Sequence, residues 1–429
     1  AFSPTPISER MNELIDRLGS STAGPTIVYV TLQKTAEEVA GTLAEAGFAA
    51  KAYHAGMKNE KRAEVQEWYM DSNDGIVVAT IAFGMGIDKS DIRRVYHYNL
   101  PKTLENYSQE IGRAGRDGEP SHCEVLGSDE DLIVLENFIY GDTPTQESIA
   151  SFVEFILSQP ELFDISIYQL SQETDIRPLV LSTLLTYLEL EGIIKFTSPF
   201  YSEYKFKYLV SKLDVMTGFD QGRKEFLRRV FGQANEKKTW SYINLDAAAE
   251  NLGEDRNRLV KAFNYLEEKG KLEVGVTGLR QGMRLLKHPD GAELARSLAD
   301  KIFRNEQRNI ERTEQVIELL NVKGCKTSYL LKYFGEDLAG DCRHCDFCET
   351  GQTDSIRGVE RNLNESELAR ISEYIERRPI GYKPSREAAR FLCGLASPKL
   401  SRSRLTKDPL FGVLEETPFQ SVLEALSED

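Results

Sequence analysis

The order of apolar and polar positions divides the chain into stretches that follow different rules. Residues 7–18 place Ile7, Met11, Leu14, Ile15 and Leu18 at helical spacing. Residues 26–31 (TIVYVT) form an unbroken, mostly β-branched run, as expected of a strand buried on both faces. The pattern then predicts helix 34–46, strand 49–53, helix 58–71, strand 76–79, strand 95–98, helix 103–113 and strand 121–127. Strands alternating with helices imply a parallel sheet in an α/β lobe. That lobe closes near residue 142, at a Gly-Asp-Thr-Pro breaker.

From 145 to about 290 the pattern changes to helix, turn, amphipathic helix and β-hairpin, and it occurs twice. In the first copy Leu181, Leu184, Leu185 and Leu188 line a helix face before EGIIKF; in the second Leu259, Phe263 and Leu266 do so before EKGKLEV. This is the winged-helix plan, with unrelated α+β segments as the alternative. Residues 292–320 predict one long charged helix. The expected organisation is therefore multidomain: an α/β lobe at 1–142, winged-helix-like modules at 143–215 and 216–290, a helix with a cysteine module at 291–350, and a linker with a small helical tail at 351–429.

Composition narrows the setting. No apolar run approaches the roughly 18 residues that span a bilayer. The N-terminal AFSPTP lacks the features of a secretory signal, and a start without Met suggests a trimmed chain. The net charge of −15 argues against uniform binding to nucleic acid. Residues 221–290, however, hold 14 Lys+Arg against 10 Asp+Glu, which points to one DNA-facing region. Four of the six cysteines cluster, which without an export signal indicates a metal site in a reducing compartment. The expected location is the bacterial cytoplasm, with the nucleoid, or a eukaryotic nucleus.

Two motifs carry chemistry. In QEIGRAGRDG (109–118), Arg113 and Arg116 stand three apart at the end of a short helix and should project the same way. Guanidinium groups suit a transferring phosphoryl, whose charge is spread over its oxygens. Ahead of them, strand 76–79 ends in the glycine-containing loop 81–89 (IAFGMGIDK), the usual place for a site in an open α/β sheet. Separately, Cys325, Cys342, Cys345 and Cys348 have two-residue gaps between the last three, which lets their sulfurs converge on one tetrahedral Zn²⁺ at about 2.3 Å. His344 is an alternative fourth ligand. Cys123 and Cys393 are expected to be ordinary core residues.

The run ATIAFGMGIDKSDIRRVYHYNLP, followed by SQEIGRAGRDG, resembles motifs V and VI of the RecQ family in helicase superfamily 2. TIVYVTLQKTAEEVA is similar to motif IV, AYHAGM (52–57) to the segment after it, and the cysteine cluster with its YFGE to the RecQ zinc module. The resemblance implies a second RecA-like motor lobe and 3′→5′ unwinding of DNA in repair and recombination. It implies that Arg113 and Arg116 reach the γ-phosphate of ATP, with Arg116 the first choice as finger. Gln109 would lie between nucleotide and DNA, Asp88 near the ribose with Gly86 beside it, and His54–Gly56, Thr80 and the backbone from Gly84 to Gly86 against DNA phosphates. Packed, satisfied histidines are the alternative for His54 and His97. Two departures matter. No G-x-x-x-x-G-K-[ST] and no D-E-x-H box occurs, so ATP and Mg²⁺ would be shared with a first lobe outside this chain, and this polypeptide alone should be inactive. The zinc module follows the motor lobe by about 180 residues instead of directly, which is similar to an atypical RecQ-like branch.

The second winged helix is the better DNA candidate. Asn257, Lys261 and Asn264 share one helix face, Arg256 and Arg258 lie at its start, and a hairpin turning at Gly278–Gly282 would carry Lys271, Arg280, Arg284 and Lys287. The first exposes Ser182, Thr186 and Glu189, a poor surface for phosphate. In the tail, a basic stretch from Lys383 through Arg386, Arg390, Lys399, Arg402 and Arg404 to Lys407 offers phosphate contacts or a solvated surface. An RNA helicase, or a non-catalytic DNA-binding protein with a relict lobe, are the rival classes.

Overall fold

The computed structural model describes residues 1–427 except Ala23, Met85, Gly86, Pro199, 357–361, Tyr382 and Lys383, and describes only the backbone of 200–202 and 276–279. Contacts divide the chain into two units: Ala1–Thr143 with Ile302–Ala396 and Ser403–Asp429, and Pro144–Lys301 with Ser397–Arg402.

The first unit opens with an α/β lobe. Its elements are α1 (Ile7–Ser20), β1 (Thr26–Tyr29), α2 (Gln33–Glu45), β2 (Ala50–Tyr53), α3 (Asn59–Asp71), β3 (Ile76–Ala79), β4 (Arg94–His97), α4 (Leu104–Ile111), β5 (His122–Val125) and α5 (Glu130–Gly141). All pairings are parallel in the order β2-β3-β1-β4-β5. β1, β3 and β4 are buried along their whole length, because helices cover both faces of the sheet. Chain order reverses at β1, which leaves a crevice at the carboxyl ends of β1 and β4.

The second unit contains α6 (Gln146–Leu157), β6 (Leu162–Ile165), α7 (Ile167–Thr174), α8 (Pro178–Leu190), β7 (Ile194–Phe196), β8 (Phe200–Tyr208), α9 (Lys212–Val215), α10 (Gln221–Phe231), β9 (Asn235–Glu236), β10 (Ser241–Asn244), α11 (Leu245–Leu252), α12 (Arg256–Glu268) and β11 (Leu272–Leu285). The two winged-helix plans are present, but they are nested and share one sheet. The last residues of β11 pair with β6 and β7 to complete the first plan. Its earlier residues pair with β8, which also pairs with β10, to build the second. The second fold is thus inserted into the wing of the first.

This corrects the expected hairpin at 278–282, where the chain runs straight through as β11. Two glycines of this stretch serve close approach. A Cβ at Gly275 would lie 2.8 Å from Lys205 Cε, and one at Gly282 would lie 2.3 Å from Thr197 Oγ1.

Helix α13 (Gly291–Asn321) is long, as expected, and is followed by α14 (Lys326–Tyr333), α15 (Asp346–Thr350), α16 (Glu365–Arg377), α17 (Ser385–Leu392), α18 (Pro398–Arg402) and α19 (Phe419–Ser427). The tail helices fold back on the motor lobe: Phe419 stacks on Tyr140 at 4.4 Å, and the Asn137 amide reaches the Glu415 carbonyl at 3.4 Å. Arg386 and Arg390 are withdrawn into this contact and so are not the phosphate ligands considered above; Lys383 lies outside the described residues. Among the described residues no helix is long and apolar enough to cross a membrane.

Candidate functional site

Helix α4 begins where the Thr103 hydroxyl accepts from Asn106 N–H, and it ends at Gly112. Arg113 and Arg116 therefore stand on the turn after the helix, not on its last residues, and Gly115 and Gly118 supply positive φ there. Both arginines still reach one place. With Gly84, Ile87, Asp88, Gln109 and Gly112 they line an open depression of about 500 Å³. A Cβ at Gly84 would sit 2.5 Å from Arg113 Nη2, so the guanidinium lies flat against a bare backbone. Arg113 lies near the buried Tyr29 phenol, which donates to the Phe83 carbonyl at 3.2 Å and whose ionisation is pushed far up, by burial first and then by Glu110. Arg116 is 41% exposed and lies 3.5 Å from Asp88, which is 93% exposed. Arg116 Nε also donates to the Gly112 carbonyl at 3.3 Å, so the pair consists of one half-buried guanidinium set against Gly84 and one exposed guanidinium at the rim, both lining the open depression.

Sequence reasoning missed what anchors this edge. His97 Nε2 meets Glu110 Oε2 at 2.8 Å in the interior, and His97 stacks on Tyr29 at 5.4 Å, so His97 is a packed histidine. Glu105, on the outer side of α4, meets Arg312 at 3.2 Å and the Tyr333 hydroxyl at 2.9 Å. Leu100 and Leu104 share a core with Val316, Leu319 and Leu320 of α13, against which Tyr329, Leu330 and Tyr333 of α14 pack. Glu105 and Glu110 were visible in the sequence. Their partners lie far from them in the chain, and no local signal names them.

The carboxyl ends of β1, β3 and β4 open onto a second hollow, of about 570 Å³, lined by Thr31, Gln33, Lys34, Thr80, Ile81, Asn99 and Lys102 among others. Thr80 lines this hollow, although most of it is buried. The His54 side chain is 6% exposed and its Nε2 meets Glu37 at 3.1 Å, which ties the end of β2 to α2 as in the packed alternative. Gly84 belongs to the arginine depression, because its missing side chain makes room for Arg113. Gly86 lies outside the described residues.

The four cysteines meet as expected. All four sulfurs lie within 4.8 Å of one another, and Cys342 Sγ is 3.8 Å from Cys348 Sγ. A tetrahedron with metal–sulfur bonds of about 2.3 Å has edges of about 3.8 Å. Amides of Ser328 and Cys342 point at Cys325 Sγ (3.4 Å each), and that of Cys345 points at Cys342 Sγ (3.3 Å). Burial opposes ionisation of Cys342, but hydrogen bonds from Thr327 and the amides of His344 and Cys345 outweigh it and bring the thiol down to about 6. Burial and the neighbouring thiols push Cys348 up to about 12. Four converging cysteine sulfurs form a donor set that fits Zn²⁺ held for structure, with no open position. Cys123 and Cys393 lie apart from it, their thiols raised by burial to about 11 and about 12.

On α12, Asn257, Arg258, Lys261 and Asn264 are exposed, opposite buried Leu259, Phe263 and Leu266. Arg256 is paired with Asp246 at 2.8 Å and Arg258 with Glu254 at 2.6 Å. The supposed wing cations are otherwise employed. Arg280 is held by Asp164 and by Gln169 (3.2 Å), and Lys271 caps the carbonyls of Asp214, Val215 and Thr217. Lys287 donates to the Glu191 carbonyl at 3.2 Å, while Arg284 stays half-exposed, 3.9 Å from Glu161.

Comparison with known proteins follows the same division. Residues 9–118 match the helicase conserved C-terminal domain, and residues 290–349 match the RecQ zinc-binding family. The bifunctional 3′-5′ exonuclease/ATP-dependent helicase WRN of Mus musculus is 47% identical over 27% of this chain and 8% of its own length. The RecQ-like DNA helicase blm-1 of Caenorhabditis elegans is 49% identical over 28% of this chain and 12% of its own. Among solved structures, the E. coli DEAD-box protein SrmB bound to regulator of ribonuclease activity A is 25% identical over 31% of this chain and 78% of that one, with a TM-score of 0.29. The chain therefore spans a small part of the full-length relatives it matches. A helicase conserved C-terminal domain and a RecQ zinc-binding module thus occur in one polypeptide, the combination that makes this chain similar to RecQ helicases.

Proposed function

We propose that this chain forms the arginine-bearing half of an ATP-dependent DNA helicase that moves 3′→5′ and separates duplex DNA. The observation that carries the reading is the open depression where half-buried Arg113 and exposed Arg116 lie beside Asp88 and Gln109. A nucleotide held with Mg²⁺ on a first RecA-like lobe would present its γ-phosphoryl to this edge when the lobes close. Arg116 then balances the charge that spreads over the phosphoryl oxygens, and Arg113, packed against the bare Gly84 backbone, stands beside it. Loss of that charge after hydrolysis weakens the closed state. Thr80, at the strand-end hollow, and the exposed face of α12 supply phosphate contacts that hold DNA through the cycle. The zinc module acts by bracing α4.

The test is ATP hydrolysis with and without a complete first lobe. The chain alone is expected to show no DNA-stimulated turnover. Joined to a lobe with a phosphate-binding loop it should hydrolyse ATP, and Arg116→Ala should lower kcat about 10³-fold with DNA affinity nearly unchanged. An Arg116→Ala protein with normal turnover rules out the finger. Matched DNA and RNA duplexes decide the substrate.

A further inference from the structure

The sheet of the inserted winged helix has a second face. Tyr204 and Phe206 of β8 and Ile243 of β10 point into the core with α10–α12. By the two-residue alternation of strands, Lys205 and Lys207 of β8 and Tyr242 of β10 point the other way, with Trp240 just ahead of β10 on the same side. The register places Tyr242 opposite Lys205. Lys205 Nζ and Lys207 Nζ lie 4.8 and 5.3 Å from the Trp240 ring centroid, and Lys237 Nζ lies 4.7 Å from that of Tyr242. On the other flank Gly275 faces Lys205, and its missing side chain leaves room for the lysine to lie along the sheet.

Five lysines (205, 207, 212, 237 and 238) gather here against three glutamates (203, 236 and 273). Glu273 pairs with Lys207 at 2.5 Å and Glu236 with Lys212 at 2.6 Å. Among the described residues no carboxylate pairs with Lys205, Lys237 or Lys238. Aromatic rings on a β-surface with unpaired lysines beside them are the ingredients that bind unpaired bases and their phosphates together. A duplex offers its bases only at groove edges, which a sheet face of this kind does not enter.

We propose that this face is a platform for single-stranded DNA, distinct from the exposed side of α12. One base stacks on Trp240 and a neighbouring one on Tyr242, positions that stand roughly 7 Å apart along the strand. The ammonium groups now over the rings move outward to the phosphates. That exchange is favourable, because an exposed ammonium–ring contact is weaker than a stacked base and the phosphate recovers the lysine's charge interaction. The inference rests on the helicase reading for the source of separated strands, but its failure can be told apart.

Trp68 and Trp240 are the two tryptophans of the chain, so Trp68→Phe leaves Trp240 as sole reporter. Titration with a thymidine oligonucleotide of about 15 residues at low salt should quench Trp240 saturably, and oligo(uridine) should do so comparably because stacking does not read the sugar. Trp240→Ala and Tyr242→Ala should each weaken binding about five- to tenfold, with Trp240→Phe restoring most of it. Lys205→Gln with Lys207→Gln should make the salt dependence shallower by about one unit. If Trp240→Ala melts early, this double variant carries the test alone. Binding seen by anisotropy with Trp240 unquenched and Trp240→Ala unaffected overturns the platform and leaves the helicase reading standing. Absence of all DNA binding overturns both. Equal quenching by a blunt duplex would overturn the preference for single strands.

Discussion

The first unit holds two pairs of arginines with similar spacing and opposite fates. Arg113 and Arg116 sit at the rim of an open depression. Arg386 and Arg390 are turned inward between the tail and the motor lobe. Arg386 pairs with Glu306 and lies 5.4 to 5.8 Å from the ring centroids of Phe303, Phe419 and Tyr140. Buried Arg390 donates to the carbonyls of Gly141 (3.1 Å) and Thr143 (3.5 Å), at and just beyond the end of α5, where helix carbonyls lack helical partners and the dipole is negative. What separates the pairs is the partner each is given. A guanidinium with internal carbonyls, a carboxylate and rings is a clamp. One backed by a bare glycine and faced by an exposed aspartate is left for something the chain does not contain.

The largest effect that can test this contrast comes from the metal. Structural zinc contributes about 10 kcal/mol or more of apparent binding free energy, which here becomes folding free energy for α14 and α15. Because α4 shares its core with α13 and α14, and Glu105 bonds Tyr333, chelation should loosen α4 as well. Hydrogen exchange after zinc removal should rise across Leu104–Ile111 and stay unchanged across Ser385–Leu392. Equal protection of α4 with and without zinc would show that the arginine edge does not depend on the metal.

Next in size are the arginines themselves. Arg390→Ala leaves two backbone carbonyls without their charged donor, and the melt should report a loss of about 2–4 kcal/mol. Arg113→Ala removes a side chain from the open rim. It should change stability by less than about 1 kcal/mol, although turnover in the protein with both lobes falls steeply. A stability loss for Arg113→Ala as large as that for Arg390→Ala would erase the distinction.

The sequence made one pair legible and misled about the other. QEIGRAGRDG carries its own context, since glycines and two arginines in so short a span constrain what the backbone can do. Arg386 and Arg390 sit in the basic stretch 383–407, and nothing local reveals that Glu306 and the end of α5 await them. The same limit explains the wing. Residues 272–285 have the glycines of a turn, and the pairing with β8, some 70 residues earlier, decides that they are strand. The parallel sheet and the cysteine cluster were readable because each depends on local patterns, period in one case and spacing in the other. For His54 the motif names only a position, while the buried ring and its contact with Glu37 come from the fold.

The smallest predicted effect on stability sharpens the contrast most, because it moves an arginine without removing it. Gly84→Ala places a methyl group 2.5 Å from Arg113 Nη2 and 3.0 Å from Cζ. Those atoms are the far end of a flexible side chain, so Arg113 can swing aside and the fold should lose less than about 1 kcal/mol. The swing has a direction in energy even so. It withdraws a guanidinium that must be in place before the phosphoryl arrives. Turnover in the protein with both lobes should therefore drop about tenfold or more while the melting temperature barely moves, and a second change, Arg113→Lys, should add little to it. Full activity in Gly84→Ala would mean that the arginine's resting position against the glycine is incidental to turnover.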